Sequence, residues 1–423
     1  MLSLFLLLIC ICKGALAEAA RPFPYSTRTR DYSAWTPATR GDINTIGMAG
    51  ATVAVPTSIA AAEANPAGFS MQTASVSAQV NKVSFSDKQI QRSDEKIDSS
   101  QWGLGVSPSS WGFSIAYYSP MTESGNYISP DTGRELWTEV SLKEFRFTVA
   151  HSFFDDESLA IGLGPEIVKA VREIGATGNS AWGASYRLGA LYRLPTHAVL
   201  GASFSPRTTV GPASDPQYQD DMPGFNRSVV LPMKIDIGAG WLPNRFFKAG
   251  LSLSYVGATQ NTALLADETV STGAHPTWVP RLGASYVIAE FAKLKIEAAA
   301  GAYYEVSRLD DYPDRIHGTG GLEVNPYFVN LGAGFDISSG YKNVIFSIGI
   351  DIVRTARTFE LIPKDPVPPY DGFWPRADHV SADGLPAGLT MGEPKKYSEP
   401  GLGDVKDIVQ QIPEKIKKKT KTK

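Results

Sequence analysis

The sequence predicts an all-β fold, a transmembrane antiparallel β-barrel of about 14 strands. Three observations predict it. Apolar and polar residues alternate in one segment after another between residues 72 and 359, as in strands with two different faces. Long and short connections between these segments alternate. After the first 17 residues, no stretch reaches the roughly 18 apolar residues of a membrane-spanning helix.

The N-terminus, residues 1–17, is predicted to be a secretory signal peptide. Its apolar run is too short to span a bilayer, and it ends in a small-x-small pattern at Ala15-Leu16-Ala17. Cleavage after Ala17 removes both cysteines, Cys10 and Cys12, which excludes disulfides, thiolate metal sites and a cysteine nucleophile. An exported chain without membrane helices is periplasmic, secreted or a closed outer-membrane barrel.

Composition agrees with a folded chain that has no nucleic-acid partner. The 423 residues are 43% hydrophobic and 20% charged, with a formal net charge of -3. The apolar fraction is sufficient for a core. Lysine and arginine are not in surplus, and phosphate binding would need such a surplus on one face.

The alternating segments fit two environments, a soluble β-sandwich or a membrane barrel with an apolar outer face and a polar lumen. In the segment 346–352, for example, Phe346, Ile348 and Ile350 oppose Ser347 and Gly349. Strands are predicted at 73–86, 100–107, 110–119, 137–153, 157–171, 181–193, 197–206, 227–241, 245–257, 277–288, 293–305, 316–323, 326–336 and 341–358.

The connections between these strands favour the barrel. Even-numbered connections such as 107–110, 154–157 and 242–245 span about four residues, whereas most odd-numbered ones, such as 207–226 and 258–276, span about 10 to 20. Outer-membrane barrels have short periplasmic turns and long external loops. An even strand number then places both termini in the periplasm of a Gram-negative-type cell.

Residues 18–71 do not alternate and are rich in small residues. The order G-M-A-G-A from Gly47, an alanine-rich stretch and then N-P-A-G-F from Asn65 resembles the N-terminal hatch of the FadL-type outer-membrane transporters of long-chain fatty acids and other hydrophobic compounds. The resemblance covers most of residues 44–359. It implies a hatch, or plug, inside the barrel, and it assigns to that hatch Gly47, Met48, Gly50, Ala51, Asn65, Pro66, Ala67 and Gly68. A flexible linker is the alternative interpretation.

The resemblance also implies a function, the passive uptake of hydrophobic small molecules, with fatty acids as the family default. External loops would capture the ligand, which would leave through the barrel wall when the hatch rearranges. Expected partners are the ligand, outer-membrane lipid, lipopolysaccharide and the barrel-assembly machinery. Candidate capture residues in the loops are Met222, Phe225, Leu264 and Leu265.

Charged residues on the polar face of the strands are predicted to line the lumen. They are Glu144, Arg146, Arg187, Lys234, Asp236, Lys295, Glu297 and Asp351. They would hydrate the interior and bind the hatch through paired hydrogen bonds. Alternatively, they set ion selectivity in an open pore.

The C-terminal residues 360–423 are proline-rich and then lysine-rich, a composition typical of a disordered periplasmic tail. The basic end suggests binding to an anionic cell-wall polymer or membrane surface. The tail also leaves open a second function, a non-transport barrel that serves as a secretion-accessory or envelope scaffold protein.

The sequence offers no chemistry for an enzyme. Nucleophile-elbow, zinc-protease and P-loop motifs are absent, and the five histidines do not occur at ligand spacing. We therefore expect no catalytic residue, no cofactor and no metal.

Overall fold

The computed structural model describes residues 41–55, 64–70, 76–87, 96–106, 110–128, 135–154, 158–174, 177–194, 197–211, 229–244, 246–260, 273–291, 294–306, 314–326, 328–352, 355–356 and 359. The predicted signal peptide, the lead before residue 41 and the tail after residue 359 lie outside this part of the chain.

The described strands form one large sheet and two small ones. They are β1 (Val76–Asp87), β2 (Lys96–Val106), β3 (Trp111–Ile128), β4 (Glu135–Phe153), β5 (Leu159–Ile174), β6 (Thr177–Arg193), β7 (Ala198–Ser205), β8 (Thr208–Val210), β9 (Val229–Leu231), β10 (Lys234–Asn244), β11 (Phe247–Val256), β12 (Thr259–Gln260), β13 (Gly273–Ala274), β14 (Thr277–Phe291), β15 (Leu294–Glu305), β16 (Arg315–Pro326), β17 (Val329–Ser338) and β18 (Tyr341–Asp351).

The large sheet is a closed antiparallel barrel of fourteen strands. Its order is β1-β18-β17-β16-β15-β14-β11-β10-β7-β6-β5-β4-β3-β2, with β1 paired to both β18 and β2. Closure leaves no strand edge unpaired, as a barrel in lipid requires. The predicted all-β barrel fold is confirmed.

The two ends of the barrel differ. At the short-turn end, two to five residues separate consecutive strands, as between Asn244 and Phe247 or between Phe291 and Leu294. At the opposite end, which we call the long-loop end, the small sheets β8–β9 and β12–β13 form parts of two long connections. The expected alternation is not strict, because β5–β6 and β17–β18 also join tightly at the long-loop end.

Several predicted strand boundaries are wrong, and the cause is physical. Strands β3 to β6 extend about 2 to 9 residues further toward the long-loop end than predicted. Beyond a bilayer both faces of a strand meet water, so the hydrogen-bonded ladder continues while the apolar alternation stops. The predicted strand 227–241 is divided at Pro232, which has no N–H to donate to a ladder. The last strand ends at Asp351, not at residue 358.

Large apolar side chains cover the outer face of the barrel. Leu163, Ile237, Leu282 and Phe346 are each 45% exposed or more and alternate with buried neighbours. An exposed apolar band of this extent is typical of a barrel whose outer face meets lipid. Within the described residues, no helix has the length and apolar character needed to cross a membrane.

Candidate functional site

Two pieces of the N-terminal segment lie inside the barrel, and every residue in both is buried. We call residues 41–55 and 64–70 the inner ring. The first piece contains helix α1 (Ile43–Gly47), which begins where Asp42 Oδ1 accepts a 2.7 Å hydrogen bond from Thr45 N. The second contains the 3₁₀ helix Pro66–Phe69, which Asn65 caps.

The inner ring follows the circumference of the wall for one turn. Gly41 hydrogen-bonds Gln101 on β2 at 3.2 Å, and Ile43 reaches β16 to β18. Met48 lies against β14 and β15, and the following residues lie in turn against β11, β10 and β7. The second piece continues along β6 and β5 and ends with Phe69 at β3 and β4. Since β3 neighbours β2 in the sheet, the turn is complete.

A belt of small residues in the wall makes room for the ring. Residues in register across neighbouring strands form two continuous rows, Gly112–Ala150–Gly162–Gly189 and Gly240–Gly250–Gly283–Gly301. A Cβ on Gly301 would lie 2.6 Å from the Met48 carbonyl carbon, and one on Gly321 2.7 Å from the Ile43 oxygen. Real Cβ atoms do not approach so closely, so the ring backbone packs directly on the wall backbone.

Asn65 joins the two pieces of the ring to each other and to the wall. Its fully buried amide donates to the carbonyl oxygens of Val53 (2.9 Å), Ala190 (3.0 Å) and Ala202 (3.3 Å). Its oxygen accepts a 3.1 Å bond from Ala67 N. Ala190 and Ala202 are register partners on β6 and β7, so a single side chain bridges the ring and two strands.

The first piece is bound to the wall by polar contacts on the opposite side of the barrel. Asn44 Nδ2 donates to Glu323 at 3.1 Å, and Thr319 Oγ1 donates to the Gly47 oxygen at 2.7 Å. Arg281 Nη1 donates to the Ala49 oxygen at 3.3 Å. These contacts satisfy buried carbonyl and amide groups in a segment with only a single helical turn of its own.

The structure places all eight candidate hatch residues within the inner ring. Met48, Ala51 and Ala67 are at most 1% exposed, and Gly47 would clash with Ala299 if it carried a side chain. Gly50 has φ 70°, a left-handed conformation that favours glycine. Pro66 and Gly68 belong to the 3₁₀ helix.

All eight candidate lumen charges lie on the inner face, and their partners form separate clusters. Arg146 Nε bonds Glu166 at 3.0 Å and its Nη2 lies 3.9 Å from Glu144. Lys234 pairs with Asp236 at 3.3 Å. Arg187 bonds Ser205 at 2.8 Å. Arg187 and these two clusters lie on the long-loop side of the ring.

Glu297 and its partners lie on the other side of the ring, toward the short-turn end. Lys248 and Lys295 approach this carboxylate at 3.0 and 2.8 Å, and Ser285 donates to it at 2.7 Å. Asp351, the eighth residue, is half-buried at the end of β18. Because buried charges are expensive unless paired, these clusters make the charged lumen stable around the ring.

Sequence reasoning missed one buried cluster beside the ring. His317 contacts two carboxylates, Asp336 through Nδ1 and Glu305 through Nε2, each at 2.9 Å. Tyr303 stacks on the imidazole at 4.3 Å between ring centroids and donates to Asp336 at 2.8 Å. Inward strand parity could have placed each residue in the lumen, but not together, because their register was unknown. Among the described residues, no His, Cys, Asp and Glu side chains gather as a metal site requires.

The sheet β8–β9 covers part of the inner face at the long-loop end. Val210 packs against Gly183 of β6, and Gly211 N donates to the Trp182 oxygen at 3.3 Å. Val210, Val229 and Leu231 are at most 3% exposed. The candidate capture residues Met222 and Phe225 belong to the connection between β8 and β9, and Leu264 and Leu265 to that between β12 and β13. All four lie outside the described residues.

The fold and this interior define a class of protein, an outer-membrane-type β-barrel with a ring of its own chain inside the lumen. No protein-family model matches the chain, and no curated protein matches it. Solved structures do. The CymD monoaromatic hydrocarbon channel has a TM-score of 0.51 at 14% identity, over 73% of this chain and 96% of that chain.

Two further structures are similar. A Pseudomonas aeruginosa FadL homologue has a TM-score of 0.51 at 11% identity, over 73% of this chain and 97% of that one. The TodX deltaS2S3 mutant monoaromatic hydrocarbon channel has a TM-score of 0.51 at 13% identity, over 74% of this chain and 99% of that one. This chain therefore has the fold of the FadL-type outer-membrane transporters.

Proposed function

We propose that this protein is a passive outer-membrane channel for hydrophobic small molecules, with the inner ring as its gate. The single observation that carries the proposal is the complete turn of the ring around the wall. A barrel that served only as a scaffold would not need a buried segment seated on a belt of small residues. The structures that share its fold include channels described for monoaromatic hydrocarbons.

In this proposal the long-loop end faces the cell exterior and the termini lie in the periplasm. Ligands are captured near the β8–β9 and β12–β13 sheets, whose connections carry the apolar residues Met222, Phe225, Leu264 and Leu265. Val210 and Leu231, in the two strands that flank the first of these connections, are apolar and buried. Long-chain fatty acids and monoaromatic hydrocarbons are the two ligand classes to compare.

The gate proposal rests on contacts that can break and re-form. The ring is attached through hydrogen bonds to wall carbonyls and through side-chain contacts, without a continuous strand ladder to the barrel. Asn65 makes two of these hydrogen bonds, to the carbonyl oxygens of Ala190 and Ala202, and a third to Val53 within the ring. Loss of the amide removes the buried hydrogen bond to the Val53 oxygen, at a cost of about 1–3 kcal/mol if that oxygen is left without a donor.

The test is a titration of the purified, detergent-folded barrel with a fluorescent long-chain fatty acid, followed by competition with toluene. We expect saturable binding, and Asn65→Ala should raise the ligand Kd about 5- to 150-fold, the range of a coupling of about 1–3 kcal/mol. Asn330→Ala, a half-buried asparagine on β17 far from β6 and β7 in the strand order, is the control. Absence of binding of either ligand to a folded barrel would contradict the proposal.

A further inference from the structure

A row of three residues ends the apolar band on the outer face of β4, β5 and β6. Lys143 and Lys169 are direct cross-strand partners, and Lys169 is in turn the partner of Trp182. The next outward-facing row toward the short-turn end is apolar and contains Phe145 and Ile167, which are 42% and 52% exposed. The three residues therefore lie side by side where the apolar surface stops.

The height of this row corresponds to a membrane–water boundary. On β4, the outward residues run from Phe153 near the short-turn end to Lys143, a separation of about ten residues. At about 3.3 Å per residue and a strand tilt of about 40°, the vertical distance is about 25 Å. Outer-membrane barrels carry an apolar band of about that height. Lys143 and Lys169 thus lie at the level of lipid headgroups.

The two lysines of this row carry like charges at directly opposite positions. Like charges placed directly opposite one another destabilise a sheet. Among the described residues, neither ammonium has a carboxylate at ion-pair distance, and the only partner of Lys169 is the Trp182 ring, 4.8 Å from Nζ to the centroid. The nearest outward acidic pair, Glu139 and Glu173, lies four residues further along the strands, about 13 Å away.

We propose that Lys143, Lys169 and Trp182 bind the phosphorylated glycolipid of the outer leaflet. The two ammonium groups would flank one phosphate, and the exposed indole, 56% accessible, would pack against the adjoining sugar and acyl chain. The choice of the outer-leaflet lipid rests on the orientation in the proposed function, with the long-loop end outside. A phosphate shared by the two lysines would offset the repulsion between their ammonium groups.

The test measures lipid retained by the folded full-length barrel. Purified protein is delipidated in detergent, incubated with diphosphorylated lipid A, and analysed by native mass spectrometry. We expect the Lys143→Gln/Lys169→Gln double variant to bind lipid A about 30-fold more weakly, the combined effect of two lysines at an anionic lipid surface. Lys342→Gln removes an exposed lysine of β18 whose register partners, Ser86 and Ile337, carry no charge, and should weaken binding by no more than about fivefold, the effect of one lysine at such a surface.

Two further arms identify the ligand chemistry. The wild-type barrel should bind dephosphorylated lipid A no more tightly than the double variant binds intact lipid A. Phosphatidylglycerol, which carries one phosphate and no sugar, should be retained less than lipid A. Equal retention of lipid A by wild type and double variant, or equal retention of both lipids, would overturn the proposal. The fatty-acid titration on the same samples separates this site from the gate, because the double variant should keep its ligand affinity.

Discussion

At the scale of single residues, the inner ring depends on positions where the wall has no side chain. Gly301 and Gly283 are register partners, and both face Met48. A side chain at either position would occupy the volume of the ring backbone, and neither backbone can move without breaking its hydrogen bonds. The glycines therefore determine whether the ring can stay against the wall.

Gly301→Val is expected to displace the ring, since overpacking of this kind costs about 1–3 kcal/mol or more. We expect higher ion conductance in planar bilayers than for the wild type. Gly318→Val is the matched control, because a Cβ there has no atom within 4 Å and valine suits a strand. Equal conductance of the two variants would show that the ring does not restrict the lumen.

The sequence predicts inward residues well and their partners poorly. Strand parity alone places Glu144, Arg187 and Glu297 in the lumen. It does not reveal that Lys248 binds Glu297, because the pairing depends on the register of β11, β14 and β15. For the same reason the cluster around His317 could not be found from spacing.

At the scale of elements, the sheet β8–β9 belongs to a long connection and packs against the inner face of β6. Its position depends on Gly183, where a Cβ would lie 2.9 Å from the Thr209 oxygen and 3.1 Å from Val210. The hydrogen bond from Thr208 Oγ1 to Ser185 Oγ, 2.6 Å, holds the same face. A larger residue at position 183 of β6 would therefore push β8 away from the wall and disturb the proposed capture surface.

Gly183→Val is expected to displace β8 and to weaken fatty-acid binding about tenfold, the effect of about 1.4 kcal/mol. Gly211→Ala serves as the control, because a Cβ there meets its nearest atom at 4.0 Å. Fluorescence titration of both folded variants measures the affinities. If Gly183→Val binds the fatty acid with the same affinity as the wild type, the β8–β9 sheet has no part in ligand capture.

The sequence also predicts the barrel strands better than the elements outside the bilayer. Fourteen segments and their order agree with the structure, since lipid on one face imposes a strict alternation. No apolar alternation marks the extensions of β3 to β6 or the small sheets, as expected for strands that do not have lipid on one face. The ring is likewise recognisable only by its small residues, and its path is set by contacts far apart in the chain.

At the scale of the whole molecule, the wall and ring form one closed unit with two charged zones. Arg146, Lys234 and their partners lie on one side of the ring, and Glu297 with its lysines lies on the other. Because these clusters pair opposite charges within the wall, the ring can move without leaving them unpaired. In the proposed function, passage of a ligand then requires movement of the ring and not of the barrel.

A disulfide between ring and wall tests this claim most directly. Phe69 and Ala150 pack against each other, and the only two native cysteines, Cys10 and Cys12, lie in the predicted export signal. In proteoliposomes carrying Phe69→Cys/Ala150→Cys, oxidation should stop fatty-acid uptake and reduction should restore it, while Ala150→Cys alone should not respond to redox. Equal uptake by the oxidised and reduced double variant, with the disulfide verified by mass spectrometry, would contradict the ring as gate.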